Sequence, residues 1–208
     1  MRGFSDEQRN QIREDLVKSG REQFQQYGPE RTRVKDITEP VGIAKPTFYQ
    51  FFDSKGELYL EIFTRVSKEL GDELQSEISA IEDTREAVKR LFTKYVEFIE
   101  ENPHLVEVMS HTPPREMFRN VPQEQIDQVR ENWLNAYAPV IEELQHRTDA
   151  ALVDYDPMMI LALLRPIGLM HLYKEEGTTR DSTEFERMQE AHIETLVNGL
   201  TCRQTIDD

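Results

Sequence analysis

The side chains best suited to a chemical role lie between Thr32 and Leu58, where cationic, hydroxyl and amide groups alternate with apolar ones. Four polar side chains fall on one side of a short predicted helix: Lys45, Thr47, Tyr49 and Gln50. A lysine can bind phosphate, a hydroxyl can donate to a phosphate oxygen, and a glutamine amide can pair with the edge of a base. The pattern therefore indicates a surface that contacts the backbone and grooves of a nucleic acid duplex.

Two short helices, predicted at 34–41 and 45–51, must position that surface. Their apolar residues have the spacing of a small core between crossed helices: Ile37, Val41, Ile43, Phe48 and Phe52. Gly42, between the helices, can adopt the left-handed conformation that a tight turn requires. Pro46 is pre-organised for the first turn of the second helix. Pro40 cannot donate a backbone hydrogen bond, so we expect the first helix to end early or bend.

Long helices flank this pair. Apolar periodicity predicts a helix over 6–27 that Gly28 and Pro29 end, and another that a Ser54–Glu57 capping box begins. Further helices are predicted at 84–101, 103–110, 122–146, 157–175 and 182–200, with a loop over 112–121. The sequence lacks the alternation typical of strands, so the expected fold class is all-α with about nine helices.

The net charge of −15 is unevenly distributed along the chain. Residues 1–56 contain ten basic and nine acidic side chains, so the excess of negative charge lies beyond residue 56. This asymmetry is expected when only one end of a protein meets phosphate. The 8 lysines, 17 arginines and 40 acidic residues fit either a salt-rich cytoplasm or an ordinary acidic surface kept soluble by self-repulsion.

The N-terminal segment resembles the DNA-binding region of the TetR family of regulators. In that family a first helix ending in a Phe and a Gly precedes a motif like I-A-x-x-A-G-V-S-x-x-T-L-Y-x-H-F-x-S-K-x-x-L. This chain has, in matching order and spacing, Phe24, Gly28, Ile37, Gly42, Ile43, Thr47, Phe48, Tyr49, Phe52, Ser54, Lys55 and Leu58. Ala44 replaces the usual Ser and Phe51 the usual His, and each replacement removes a polar group.

The resemblance implies a homodimeric, ligand-responsive transcriptional repressor that binds a double-stranded DNA operator. An unidentified, apolar small molecule would release it by binding the C-terminal domain. The implied domains are a helix-turn-helix domain at 8–70, with its helix-turn-helix at 33–52, and a ligand-binding and dimerisation domain at 71–208. The implied DNA contacts are Thr32, Arg33, Lys45, Pro46, Thr47, Tyr49, Gln50 and Lys55, with Thr32 either a cap or a phosphate donor.

Plainer interpretations stand beside these roles. Tyr49 could pack beneath the fourth helix, and Gln50 could be an ordinary solvated residue. Arg2, Arg9 and Arg13 could form an extra phosphate-binding arm or a solvated helix face. For the whole chain, the alternatives are a helical dimeric protein-binding module that does not read DNA, and a transcriptional activator of the same family.

The second half of the chain carries no recognisable motif, as the resemblance implies for a variable sensor domain. Met and aromatic side chains shape adaptable apolar cavities, and a ligand pocket is expected at Tyr95, Met109, Phe118, Trp133, Tyr137 and Met159. Arg165 lies within an apolar run. It could neutralise an anionic ligand head group such as an acid or acyl thioester, pair with a carboxylate of the partner chain, or snorkel to the surface.

The dimer surface is expected at Ile160, Leu164, Ile167, Phe185, Met188, Ile193 and Leu196.

Nothing in the sequence predicts catalysis, a cofactor or a metal site. The five histidines show no i, i+4 pair and no Cys partner, and no Ser or Cys stands in a nucleophile motif. The single cysteine, Cys202, cannot form an internal disulfide. With no signal-peptide pattern and no apolar run of about 20 residues, we expect a cytoplasmic protein with no membrane partner.

Overall fold

The computed structural model describes residues 4–104, 117–164, 166–167 and 182–202. Within these ranges the chain forms helices and no strand, which confirms the all-α fold class. The eight α-helices described are α1 (Asp6–Arg31), α2 (Val34–Val41), α3 (Lys45–Phe48), α4 (Lys55–Ala80), α5 (Thr84–Glu101), α6 (Gln123–His146), α7 (Pro157–Ala162) and α8 (Ser182–Thr201), and a 3₁₀ turn spans Ala151–Asp154. Most of the helix predicted at 103–110 and the end of that predicted at 157–175 lie outside the described residues.

The chain divides into two compact units. The first comprises Met1–Val66 and Asn102–Glu131, and the second comprises Ser67–Glu101 and Asn132–Asp208. The described residues 102–104 and 117–131 therefore group with the N-terminal helices, whereas the resemblance implied a C-terminal domain over 71–208. Helices α4 and α6 each contribute residues to both units.

Helix α1 begins with a capping box and is broken near its end. The Ser5 hydroxyl accepts a hydrogen bond from the Gln8 N–H at 3.2 Å, and the Gln8 side chain accepts one from the Ser5 N–H at 3.0 Å. Gly28 has φ 75° and ψ 156°, a conformation essentially restricted to glycine. The helical run is therefore interrupted where the sequence predicted its end.

Helices α2 and α3 form the predicted helix-turn-helix. Gly42 takes the left-handed conformation, with φ 74° and ψ 24°. Helix α2 runs through Pro40 to Val41, so the expected early end is wrong: the φ of proline suits a helix, and only one backbone donor is lost. Helix α3 ends at Phe48, three residues earlier than predicted, and residues 49–51 continue as turns.

The core of this unit holds the predicted aromatic residues. Ile37 and Phe48 are fully buried and Phe52 is 1% exposed, whereas Val41 and Ile43 are only half-buried. The buried Ser19 hydroxyl donates to the Ile37 carbonyl at 2.9 Å, which ties α1 to α2. Burial of these side chains orients the opposite side of α3 outward.

In the second unit, ion pairs and backbone caps join the helices. Arg90 of α5 pairs with Glu77 of α4 and with Glu97 on its own helix. Arg147 donates to the carbonyls of Ile78 at 3.0 Å and Ile81 at 2.8 Å, so it satisfies acceptors at the end of α4. None of the described helices combines the length and apolar character needed to cross a bilayer.

Candidate nucleic-acid interface

The outer side of α3 presents the polar side chains that the sequence singled out. Lys45, Pro46 and Gln50 are exposed, and Thr47 is half-buried. Arg33, the residue before α2, is also exposed, and its backbone N–H donates to the Asp36 carboxylate at 2.8 Å. The geometry thus offers cationic, hydroxyl and amide groups on one helix-turn-helix, as a DNA-reading unit requires.

Tyr49 leaves 48% of its surface exposed. Its ring meets that of Phe48 edge-on, with 5.4 Å between the centroids. The buried Phe48 therefore supports the tyrosine ring from one side. This arrangement differs from the alternative in which Tyr49 packs away beneath the fourth helix.

Thr32, which was expected among the DNA contacts, is buried. Its side chain is 2% exposed, and its hydroxyl donates to the Gly28 carbonyl at 2.7 Å. Of the two roles considered for Thr32, the structure supports the cap. A buried hydroxyl already bonded to the end of α1 is unavailable to a phosphate.

Lys55 also has a different environment from the one expected of a phosphate anchor. Its ammonium donates to the carbonyls of Pro29 and Thr32, the latter at 2.8 Å, and the residue is half-buried. Burial lowers the pKa of Lys55, while the charges of Glu30 and Asp36 act in the opposite direction. In this conformation Lys55 connects the start of α4 to the backbone of Pro29 and Thr32, which follows the break in α1.

Two arginines of α1 contact the backbone that follows α3. Arg13 Nη1 donates to the Phe51 carbonyl at 3.0 Å, and Arg9 Nη2 donates to the Gln50 carbonyl at 3.3 Å. The sequence left Arg9 and Arg13 as either a phosphate arm or a solvated helix face. Their spacing of four residues indicated a shared helix face, but nothing local identified the partners.

In the second unit, three of the expected pocket residues lie close together. The rings of Trp133 and Tyr137 have centroids 4.8 Å apart, and Tyr95 is near enough that its ionised form would raise the pKa of Tyr137. Burial raises the pKa of Tyr137, whose hydroxyl donates to the Ser67 carbonyl at 3.3 Å. The Ser67 hydroxyl is buried and has no hydrogen-bond partner among the residues that the structure describes.

The other expected pocket residues lie in the first unit, at the surface, or outside the described residues. Phe118 belongs to the first unit, where its ring lies 5.9 Å from that of Tyr59. Met159 is 53% exposed. Met109 and Arg165 lie outside the described residues, so their expected roles stay predictions.

Most residues expected at the dimer surface are buried inside the single chain. The relative exposures range from 0 to 5% for Ile160, Leu164, Ile167, Phe185 and Ile193. Met188 is 48% exposed and Leu196 is half-buried. The five buried side chains belong to the core of one protomer, so only Met188 and Leu196 of this set offer surface to a partner.

No group of three His, Cys, Asp or Glu residues within the described ranges is arranged to hold a metal ion. Cys202 is an exposed free thiol.

Comparison with known proteins places this geometry in a known context. Residues 16–62 match the family model for bacterial regulatory proteins of the tetR family. A stretch of 92 residues is 28% identical to the HTH-type transcriptional activator FasR of Mycolicibacterium smegmatis. That match covers 44% of this chain and 42% of FasR, less than half the length of either protein.

Two solved structures share the fold over nearly the whole chain. FadR from Bacillus subtilis, in complex with stearoyl-CoA, superposes with a TM-score of 0.61 at 14% identity, covering 89% of this chain and 98% of that one. FadR from Thermus thermophilus, a TetR family repressor in complex with lauroyl-CoA, superposes with a TM-score of 0.62 at 17% identity, covering 94% and 98%.

The outward polar side of α3 therefore lies within the segment that matches bacterial regulatory proteins of the tetR family, in a chain with an N-terminal helix-turn-helix and a helical fold. The family model thus covers the helix-turn-helix segment at residues 16–62, and the similarity to the two FadR structures along the chain is a similarity of fold.

Proposed function

We propose that this regulator is a repressor that binds a near-palindromic operator as a homodimer and leaves it when a small molecule binds the second unit. The observation that carries the DNA-binding part is the exposure of Lys45, Tyr49 and Gln50 around the buried Phe48. Lys45 would contact phosphate, and Tyr49 and Gln50 would donate to phosphates or base edges. Two copies would enter successive major grooves about 34–36 Å apart.

DNA binding is tested with duplexes from the region upstream of the gene, or with duplexes that the wild-type protein selects from a randomised pool. The double variant Lys45→Ala, Tyr49→Ala should bind selected duplexes at least about tenfold more weakly, because a phosphate contact and an adjacent polar contact are lost. The matched control is Lys18→Ala, which removes one exposed positive charge from α1.

The same experiment separates the regulator from a helical protein-binding module. A module that does not read DNA would select no sequence from the pool, and its double variant would behave like the wild type. Both variants should keep the oligomeric state of the wild type, measured by sedimentation.

We infer that the second copy packs on α8, where Met188 is exposed, while the neighbouring Phe185 and Ile193 secure the helix to its own chain. An exposed apolar side chain on a helix with a buried opposite side suits a helix-to-helix contact. Met188→Glu should therefore yield folded monomers in sedimentation experiments, whereas Glu190→Gln on the same helix should remain dimeric. A dimeric Met188→Glu protein would move the proposed interface elsewhere.

For the effector we propose a fatty acyl thioester. The cluster of Tyr95, Trp133 and Tyr137 supplies apolar surface, and the buried hydroxyl of Ser67, whose carbonyl accepts from Tyr137, finds no hydrogen-bond partner in the described ranges. Two FadR proteins with this fold are described in complex with acyl-CoA, which favours the same chemical class here.

Trp133 is the single tryptophan, so its fluorescence reports directly on this cluster. Palmitoyl-CoA should change the emission and weaken operator binding about 5- to 150-fold, the usual range of allosteric coupling. Coenzyme A alone and palmitate alone show whether both parts of the thioester are needed. An unchanged emission together with unchanged operator affinity would rule out this class of effector.

Activation is the second possibility for the direction of control, because the 28% identical relative is described as a transcriptional activator. Transcription in vitro from a promoter that carries the selected operator distinguishes the two directions. A repressor lowers transcript yield when added, and the acyl thioester restores it. A rise in transcript on adding the protein alone would establish activation instead.

A further inference from the structure

Helix α3 is too short to hold its own geometry. It has four residues, and it is followed by turns in which Gln50 N–H donates to the Thr47 carbonyl at 3.0 Å and Phe51 N–H donates to the Phe48 carbonyl at 2.9 Å. Isolated helices need far more residues than this to form in water. The orientation of Tyr49 and Gln50 must therefore be maintained by contacts from other elements.

Arg13 of α1 makes three contacts at once, two with residues that follow α3 and one with α4. Its Nη1 donates to the Phe51 carbonyl at 3.0 Å, and its guanidinium carbon lies 4.3 Å from the centroid of the Phe52 ring. Its Nη2 pairs with the Glu61 carboxylate of α4 at 3.3 Å. The planar guanidinium thus connects α1, the residues Phe51 and Phe52 that follow α3, and α4 through one side chain.

Arg9 and Phe4 extend the same contact. Arg9 Nη2 donates to the Gln50 carbonyl at 3.3 Å, and the guanidinium carbon lies 5.3 Å from the Phe51 ring centroid. The Phe4 ring lies 6.4 Å from the Phe51 ring. Phe51, which stands where the family motif has His, therefore supplies an aromatic face to Arg9 in α1 and to Phe4, which precedes this helix.

We propose that Arg13, assisted by Arg9, is a positioning residue for sequence recognition, acting on DNA through the backbone at Gln50 and Phe51. We name Arg9, Arg13 and these two carbonyls the α3 brace. The proposal rests on the proposed DNA-binding function. Because the Arg13 guanidinium is engaged by a carbonyl, a ring and a carboxylate, it holds the reading side chains in place and does not itself bind phosphate.

This role predicts a different signature from a phosphate contact. A lost phosphate contact weakens binding to every DNA sequence and lowers the magnitude of the log–log salt slope by about 0.9 per contact. If α3 is less firmly oriented, binding to the preferred sequence weakens while non-specific binding stays unchanged, because base contacts determine the specificity.

The test measures the affinity of Arg13→Gln for a duplex selected by the wild-type protein and for a shuffled duplex of the same length, over a series of salt concentrations. We expect about a tenfold loss on the selected duplex, with affinity for the shuffled duplex and the salt slope unchanged. Arg9→Gln should show a smaller loss, because its hydrogen bond is longer. Lys18→Gln, which removes a charge from the same helix outside the brace, should preserve discrimination.

A readout without DNA accompanies the affinities. Backbone hydrogen exchange over residues 45–52 should accelerate in Arg13→Gln, while exchange over α2 should stay as in the wild type. Arg13→Lys retains the charge but loses the planar fork, so it should keep the salt slope of the wild type and restore only part of the discrimination. It also serves if Arg13→Gln does not fold.

Equal losses on both duplexes with a shallower salt slope would overturn the brace and make Arg13 a phosphate ligand. Unchanged discrimination and unchanged exchange in Arg13→Gln would also overturn it. Failure of the DNA-binding proposal looks different: the wild-type protein then prefers no duplex, while the exchange experiment still reports on the brace.

Discussion

Two lysines of the N-terminal unit illustrate how burial divides residues of one type between two roles. Lys45 is exposed at the beginning of α3, whereas Lys55 is half-buried and donates to the carbonyls of Pro29 and Thr32. An exposed ammonium keeps its hydration and can exchange it for a phosphate. An ammonium already bonded to backbone carbonyls contributes to stability instead.

The first prediction contrasts Lys55→Met with Lys45→Met. Lys55→Met should lower the free energy of unfolding by about 1 kcal/mol, because two backbone acceptors in a half-buried position lose a charged donor. Lys45→Met should leave the unfolding free energy within about 0.5 kcal/mol of the wild type, as surface substitutions usually do. Urea denaturation measures both values, and equal destabilisation by the two variants would contradict the division of roles.

At the scale of the elements, glycines interrupt the helices at two points with different geometry. Gly42 is left-handed and a Cβ there would meet no atom within 4 Å. Gly28 has φ 75° and ψ 156°, and a Cβ there would lie 3.1 Å from the His104 ring. Only the second position combines a backbone conformation closed to other residues with a steric obstacle.

The second prediction is that Gly28→Ala destabilises the protein more than Gly42→Ala. The left-handed turn at Gly42 should make alanine cost about 1 kcal/mol of unfolding free energy. Alanine at Gly28 should cost about 2–3 kcal/mol, because the backbone conformation is more restricted and the His104 ring must shift. Thermal or urea unfolding of the two variants gives the comparison, and a larger loss in Gly42→Ala would contradict it.

The third prediction concerns the ion pairs between α4 and α5. A hydrogen bond from Arg90, the largest influence, holds the pKa of Glu77 below its ordinary value, and Lys94 acts in the same direction. A carboxylate with a lowered pKa stabilises the folded state above its ordinary pKa, and that contribution disappears as the pH falls through the lowered pKa.

Glu77→Gln should therefore be less stable than the wild type at neutral pH, by about 0.5 kcal/mol for a partly exposed pair. The difference should vanish well below pH 4.3, the approximate pKa of a free glutamate. Thermal unfolding across this pH range measures the convergence, with Glu101→Gln at the exposed end of α5 as the control. A difference that does not change with pH would indicate that the charge of Glu77 is not responsible.

For the whole molecule, the distribution of charge decides where DNA can bind. The net charge is −15, yet the first 56 residues carry ten basic and nine acidic side chains. The exposed cations that adjoin α2 and α3 include Arg33 and Lys45. An acidic remainder would repel DNA, which favours approach through this region.

The fourth prediction is the salt dependence of operator binding. Two phosphate contacts per protomer, by Arg33 and Lys45, give a log–log slope of about −3.6 for a dimer, or roughly a 150-fold loss of affinity between about 50 and 200 mM salt. Lys45→Gln should reduce the magnitude of the slope by about 1.8. Fluorescence anisotropy with the selected duplex measures both slopes, and a slope near zero would contradict electrostatic docking through this surface.

Local patterns in the sequence were sufficient for the all-α fold, the break at Gly28, the turn at Gly42 and the outward polar side of α3. These features depend on apolar periodicity and on glycine conformation, which neighbouring residues encode. The bounds of α2 and α5 were predicted to the residue for the same reason.

The tertiary structure alone decided which groups Thr32, Lys55 and Arg13 contact. Lys55 bonds to a carbonyl 26 positions earlier, and Arg13 bonds to one 38 positions later. Side chains of the same chemistry can donate hydrogen bonds either to DNA or to the protein's own backbone. Which of the two they do depends on the acceptors that the packed helices bring within reach. The spacing of residues along the chain does not specify which acceptors come within reach, because their positions are set only when α1, α3 and α4 pack together.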